Sequence, residues 1–277
     1  MNNNKISRRD FIKTTTIGTV GIVSAGGLLS SIGCGKEDLS FAIPMSVMIP
    51  LGTTSYNETT SDYKISQHKE YRSWVENSGK RLRTATIDHE GNSKVDKFAW
   101  SFELFEDNTI NAWCMPGARI AFYEGIMPLC KSETGVGIVM GHEIAHAVSN
   151  HSGKRMAQQL AVQLGITTLS VATERLLNPD PEIMNIAASV FGVGGTLGIL
   201  AYSRKHEYEA DKMGLIYAAR AGYDPREAPL FWNRMSALGS SGPEFLSTHP
   251  SNENRIKELE AAIPEAMTYY NQYNNNQ

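Results

Sequence analysis

The chain has 277 residues, of which 41% are hydrophobic and 20% charged, with a formal net charge of −3. This is the composition of an ordinary globular protein, long enough for one domain with a sizeable core plus appendages. It is not basic, and no basic patch alternates with aromatic residues, which argues against nucleic acid as a partner.

The first 33 residues read as an export signal rather than as fold. Ser7-Arg8-Arg9-Asp10-Phe11-Ile12-Lys13 supplies a positive start, and an apolar, Gly-rich run follows from Thr14 to Gly33. The paired arginines resemble a twin-arginine signal; an ordinary secretory signal with two arginines is the alternative. Cys34, after Ser31-Ile32-Gly33, resembles the lipidation site of a bacterial lipoprotein, although Ser31 stands where Leu is usual. Lipidation there would tether the chain to a membrane through Cys34. Removing residues 1–33 takes away four basic residues and one acidic, which leaves 22 against 28 and a net charge near −6. Besides Cys34, two cysteines, Cys114 and Cys130, remain. In an oxidising compartment they can pair, and their spacing leaves the question open.

Phe41 to Thr60, with two prolines and many Ser and Thr, reads as an irregular arm. Ser66 to Arg83 has Tyr71, Trp74, Val75 and Leu82 on one side of a helix. Gly91-Asn92 marks a turn. Phe98–Phe105, Ile110–Met115 and Arg119–Tyr123 read as three short antiparallel strands, broken by Glu106–Thr109 and by Pro116-Gly117. Asn111 to Met115 is the candidate edge, since Pro116 suits an edge position; an inner strand is the alternative. An open edge at Asn111, Ala112 and Trp113 can hold an extended peptide by β-augmentation.

The next stretch, Gly141-His142-Glu143-Ile144-Ala145-His146, carries the chemistry. On a helix His142 and His146 lie one turn apart on one face, so both imidazoles can reach a single metal ion. Glu143 beside them can take a proton from water at that ion. Val136, Met140, Ile144 and Val148 recur every fourth residue and make an apolar stripe, as a packed helix needs. Asn150-His151-Ser152-Gly153 ends this helix, and His151 reads as a surface residue.

Met156 to Leu177 reads as a second helix, and Asn178-Pro179-Asp180-Pro181 as a turn. Ile183 to Tyr202 then runs without a charge, a length that can span a bilayer. Its four glycines and polar Asn185, Ser189 and Thr196 favour a buried helical cover over the site instead. In the helix after Ser203, Glu207 and Asp211 share a face. Glu207 can be a third metal ligand, and Asp211 can orient a ligand histidine. His206 and Glu209 point elsewhere and read as solvated. Gly222-Tyr223-Asp224-Pro225 stops that helix, Pro225–Leu238 forms another, Leu246–Pro250 is a loop, Ser251–Ala262 is the last helix, and the Asn-rich end is disordered.

His142-Glu143-Ile144-Ala145-His146, the segment Ser203-Arg204…Glu207-Tyr208-Glu209-Ala210-Asp211 and Thr248-His249-Pro250 occur in order. Together they resemble the HtpX/BepA/LoiP family of gluzincin metallopeptidases, which also contains the CaaX prenyl endopeptidase and the mitochondrial inner-membrane stress protease. Asn111-Ala112…Pro116-Gly117 and Gly222-Tyr223-Asp224-Pro225 extend the likeness over Ser66 to Ala262. No helical repeats follow, so the resemblance is to the single-domain lipoprotein branch. It implies a zincin-like α+β fold, mostly helical, with a small antiparallel sheet beside the active-site helix. It implies one Zn2+ per chain, bound by His142, His146 and Glu207, with Glu143 as general base and acid. By the same resemblance His249 lies over the zinc, either closing the resting site or stabilising the oxyanion; as a bare sequence feature it would be a surface loop residue. The organisation expected is an export signal at 1–33, a tether and arm at 34–62, a metallopeptidase domain at 63–264 and a polar tail at 265–277. The implied work is quality control in the bacterial cell envelope, with misfolded or misassembled envelope proteins as substrates. The rival reading is a chaperone-like zinc lipoprotein that holds clients without cutting them.

Overall fold

The computed structural model describes residues 42–191, 202–239, 244–250 and 253–276. The leader and Cys34 lie outside these residues. The arm is not irregular. Met45–Thr60 is a helix, α1. Val47, Met48, Leu51, Ser55 and Tyr56 recur at three- and four-residue steps and are all buried, so a helical period hides among the polar residues. The hydroxyls of Thr54 and Thr60 donate to the carbonyls of Pro50 and Tyr56, at 3.3 and 2.7 Å, which satisfies them within the helix. Helix α2 (Lys69–Glu90) runs beyond Arg83, to Gly91, whose φ of 83° ends it.

The sheet consists of β1 (Ser101–Phe105), β2 (Ala112–Met115) and β3 (Arg119–Tyr123) in the order β1-β3-β2. It is mixed, not antiparallel throughout: β3 pairs antiparallel with β2 but parallel with β1. The chain leaves β1, crosses to the far edge as β2, and returns through Pro116-Gly117-Ala118 between the two. Gly117 and Ala118 both have positive φ, 89° and 59°, the backbone that a tight reversal between twisted strands requires. The outer side of β1 is taken by the preceding chain, with Ser66 N–H donating to Leu104 O and Glu106 N–H to Lys64 O. β2 therefore stands at the other edge.

Helix α3 (Glu133–Val148) is the centre of the molecule, and every residue from Gly135 to Val148 is buried. Ser132 caps it, accepting from Gly135 N–H at 3.2 Å. It packs on α2, on β2 and on α7 (Arg204–Arg220). Where α3 crosses α7 both sides are glycine. A Cβ added at Gly214 would lie 2.7 Å from the backbone nitrogen and Cα of His142, and one at Gly141 would lie 2.7 Å from Gly214 O. No side chain fits at this crossing. Gly214→Ala is expected to force the helices apart, to lower stability by about 1–3 kcal/mol and to reduce metal retention, read by denaturant titration and metal analysis. Unchanged stability would show that the crossing can relax.

The expected helix from Met156 to Leu177 is two helices, α4 (His151–Leu164) and α5 (Leu169–Leu177). Gly165, with φ 65°, breaks them, its N–H bonding Ala161 O. Helix α6 is Pro181–Phe191. The rest of the charge-free run, residues 192–201, lies outside the described residues, so the expected cover is seen only as α6 and Tyr202. Among the described residues no helix is long and apolar enough to cross a membrane. Helix α8 (Glu227–Ser236) follows α7 after Gly222, whose φ is 78°. Leu246 and its neighbours form a short helix, α9 (Glu244–Thr248), rather than a loop. Helix α10 (Glu253–Asn275) carries the Asn-rich end as ordered helix, with Tyr269 packed on the core and Arg220 over its ring. Cys114, in β2, and Cys130 are both free and buried.

Candidate metal centre

Helix α3 places His142 and His146 one turn apart, and their Nε2 atoms are 3.1 Å from each other. Helix α7 brings Glu207 to the same point. Its Oε1 lies 3.3 Å from His146 Nε2, and its Oε2 lies 3.6 Å from His142 Nε2. His249, just after α9, adds Nδ1 at 3.1 Å from His142 Nε2 and 3.2 Å from Glu207 Oε1. The ligand atoms of these four buried residues all lie within 4.8 Å of one another.

The donor set fits zinc. A tetrahedron with zinc–ligand distances of about 2.0–2.1 Å has edges of about 3.3 Å. The separations of 3.1–3.6 Å given above bracket that value. The far nitrogens of both α3 histidines are engaged elsewhere. His142 Nδ1 lies 3.0 Å from Asp211 Oδ1, and His146 Nδ1 lies 2.8 Å from His151 Nδ1. With those nitrogens occupied, Nε2 of each ring can present its lone pair to the common centre.

The sequence reading missed Arg255. It enters from α10, fully buried, with Nε and Nη2 on the two Asp211 oxygens at 2.8 and 2.7 Å and Nη1 2.5 Å from Glu207 Oε2. Its guanidinium also lies over the Trp232 ring at 3.9 Å, and Nη1 donates to Pro250 O at 3.0 Å. Burial would raise Glu207, but the charges of Arg255 and His249 outweigh it and hold the carboxyl well below its usual range. Asp211 is lowered for the same reason, with Arg255 again outweighing burial. Both carboxylates are thus kept ionised within the protein, as a metal site needs.

Glu143 is buried beside the donor set, with Oε1 3.3 Å from His249 Nε2. Burial raises it above the usual carboxylate range, against the opposing pull of His249 and His142. Tyr202 covers the site. Its ring stacks on His146 at 3.9 Å, Arg155 lies over it at 4.2 Å, and its N–H donates to Thr248 O. The cavity left between Glu143, His249, Tyr202, Asn111, Trp113 and Cys114 is about 10 Å³, room for no more than one water. Asn111, Ala112 and Trp113 line it from the sheet edge. Asn111 Nδ2 donates to Glu244 Oε1 and Trp113 Nε1 to Tyr123 Oη.

Of the three residues expected at the surface, two are buried and the third is only partly exposed. His151 is fully buried on His146, and His206 is buried with its ring stacked on His151 at 4.3 Å. Glu209, partly exposed, reaches back to His151 Nε2 at 3.2 Å. Burial and the neighbouring His206 push His151 down to about 3, so it is uncharged. Helical phase misplaces His151 because α3 stops at Val148. Asn150, a residue that tolerates the left-handed region, takes φ 52° and folds the chain back. That asparagine is the signal that was available. Arg255 has none, since nothing in its spacing from Glu207 marks it.

The sequence profile of peptidase family M48 matches residues 73–263. The chain is 37% identical over 178 residues to mitochondrial metalloendopeptidase OMA1 of Schizosaccharomyces pombe, covering 63% of this chain and 50% of that protein. It is 32% identical over 221 residues to the protein of the same name in Arabidopsis thaliana, covering 78% and 42%. It is 31% identical over 193 residues to the putative beta-barrel assembly-enhancing protease of Vibrio cholerae, covering 66% and 37%. The chain spans about half the length, or less, of these curated relatives.

Proposed function

Because the chain belongs to peptidase family M48, we propose that it is a membrane-tethered zinc endopeptidase that hydrolyses peptide bonds of misfolded or misassembled cell-envelope proteins. The observation that carries the reading is the convergence of His142, His146 and Glu207 on one point, with the Glu143 carboxylate beside it. Zinc held there supplies a Lewis acid that polarises the scissile carbonyl and makes water a nucleophile near neutral pH. Glu143 takes the proton of the attacking water and returns it to the departing amine. Its raised proton affinity suits both transfers. Asp211 holds His142 in register through Nδ1, and Arg255 holds Asp211 and Glu207 together. The edge at Asn111, Ala112 and Trp113, buried in this closed arrangement, receives the substrate as an added strand once the site opens; its position on the cavity beside Glu143 supports this.

The chaperone-like alternative is disfavoured by Glu143, since holding zinc needs no buried general base beside it. One matched relative is named for enhancing beta-barrel assembly and others as mitochondrial metalloendopeptidases. The first name, with the export-type leader, supports envelope proteins as substrates. Comparing the envelope proteome of wild type with that of a Glu143→Gln trap tests the reading. Full-length envelope proteins should be retained on the trap, and an empty trap would reject it.

Anchoring rests on the leader ending at Cys34. Labelled fatty acid should enter the protein, and Cys34→Ser should abolish the label and release the protein from membranes. More than one acyl chain is needed for a stable hold. A Cys34→Ser protein that stays in the membrane fraction would remove the lipid anchor from the reading.

A further inference from the structure

Helix α3 ends at Val148, and the reversal at Asn150 sets His151, the first residue of α4, against His146. Their Nδ1 atoms are 2.8 Å apart. On its other side His151 Nε2 lies 3.2 Å from Glu209 Oε2, two residues beyond Glu207 on α7. The proton positions in this row follow from His146. Its Nε2 faces Glu207 and His142 in the donor set, so to offer a lone pair there the ring must carry its proton on Nδ1. That N–H donates to Nδ1 of His151, which must then be bare. The proton of His151 therefore sits on Nε2 and is donated to the Glu209 carboxylate. One arrangement of tautomers satisfies all three groups.

We infer that His151 and Glu209 are positioning residues for His146, a carboxylate–imidazole–imidazole row that fixes the tautomer and the ring plane of this metal ligand. The inference rests on the metal-centre reading above. His142 has the shorter arrangement, a carboxylate in direct contact with its Nδ1. For His146 a second imidazole is inserted, and the row ends at a carboxylate that is 37% exposed and 3.9 Å from Lys154 Nζ. Stacking completes the hold. Tyr202 lies on His146, and His206 lies on His151 with ring planes 22° apart.

Outer partners of metal-binding histidines are typically worth 10–100-fold in metal affinity. His151→Phe keeps a flat ring for the stack with His206 but removes the acceptor. His151→Gln keeps an acceptor oxygen near the same place. Zinc dissociation constants are measured by competition with a chromophoric chelator, together with the visible spectrum of the cobalt-substituted protein and a thermal melt of each variant. His151→Phe should weaken zinc binding about 10–100-fold and shift the cobalt bands, and His151→Gln should recover most of the affinity. Glu209→Ala, at the partly exposed end of the row where folding is not at risk, should weaken binding in the same direction by a smaller factor. A His151→Phe protein with wild-type affinity and spectrum would overturn the inference. So would a His151→Gln protein no better than His151→Phe, because the loss would then come from packing. Wild-type protein that takes up no zinc would overturn the metal-centre reading itself, a result distinct from either.

Discussion

Glu143→Gln should keep zinc at one ion per chain and lose peptide cleavage by about 10²–10⁴-fold, the range of general acid–base catalysis, whereas Glu207→Ala should lose both. The two carboxylates differ in what holds them. Among the described residues Glu143 meets the donor set through His249 Nε2 and supplies none of the donor atoms itself. Gln fills the same volume and still meets His249, so the site should stay intact while the proton acceptor is gone. Glu207 is 1% exposed, contributes an oxygen to the donor set and faces Arg255. Its removal leaves only the imidazoles of His142, His146 and the movable His249, with no charged ligand, and strips a buried guanidinium of one of two carboxylate partners, a loss that costs several kcal/mol when a buried pair is broken. Metal content by elemental analysis and cleavage of an unfolded model protein separate the cases. Wild-type turnover in Glu143→Gln would exclude Glu143 as the base.

The ligands were legible because each lies on a helix whose period can be read locally. His142 and His146 are four residues apart, and Glu207 and Asp211 are four residues apart, so their shared faces follow from 3.6 residues per turn. The sheet was only half legible. Three short strands and their breaks could be read, but the insertion of β3 between β1 and β2 depends on non-local pairing, and this made β1 parallel to its neighbour. Helix α1 was missed because Pro50 and the run of Ser and Thr outweighed a buried face that only tertiary packing reveals. His151 escaped for a different reason. Extending the phase of α3 past Val148 points it at solvent, whereas one left-handed residue, Asn150, turns it onto His146. Arg255 lies outside any local pattern: it is placed by the packing of α10 against α7.

His249→Ala should raise basal cleavage of an unfolded substrate and leave the protein prone to cutting itself. A zinc site with three protein ligands keeps one position for chemistry, and a fourth protein donor closes it. In this conformation His249 Nδ1 sits with the other donors, 3.1 Å from His142 Nε2 and 3.2 Å from Glu207 Oε1. Its other nitrogen meets Glu143, so one ring covers both the fourth position and the base. The segment that carries it is pinned. His249 N–H donates to Phe245 O, Tyr202 N–H donates to Thr248 O, and the Phe245 ring stacks on His249 at 4.7 Å. The cavity of about 10 Å³ beside it has no room for a peptide. If the open arrangement makes up about 1–10% of molecules, removing the ring should raise kcat/KM about 10–100-fold, since apparent affinity and turnover scale with the competent fraction. An oxyanion role predicts the reverse, a fall in kcat of roughly 10²–10³-fold with zinc retained. Steady-state kinetics with metal analysis and a self-cleavage assay on His249→Ala therefore give opposite signs for the two roles. Activity and zinc content both equal to wild type would reject both, leaving His249 as a packing residue between Phe245 and Tyr202.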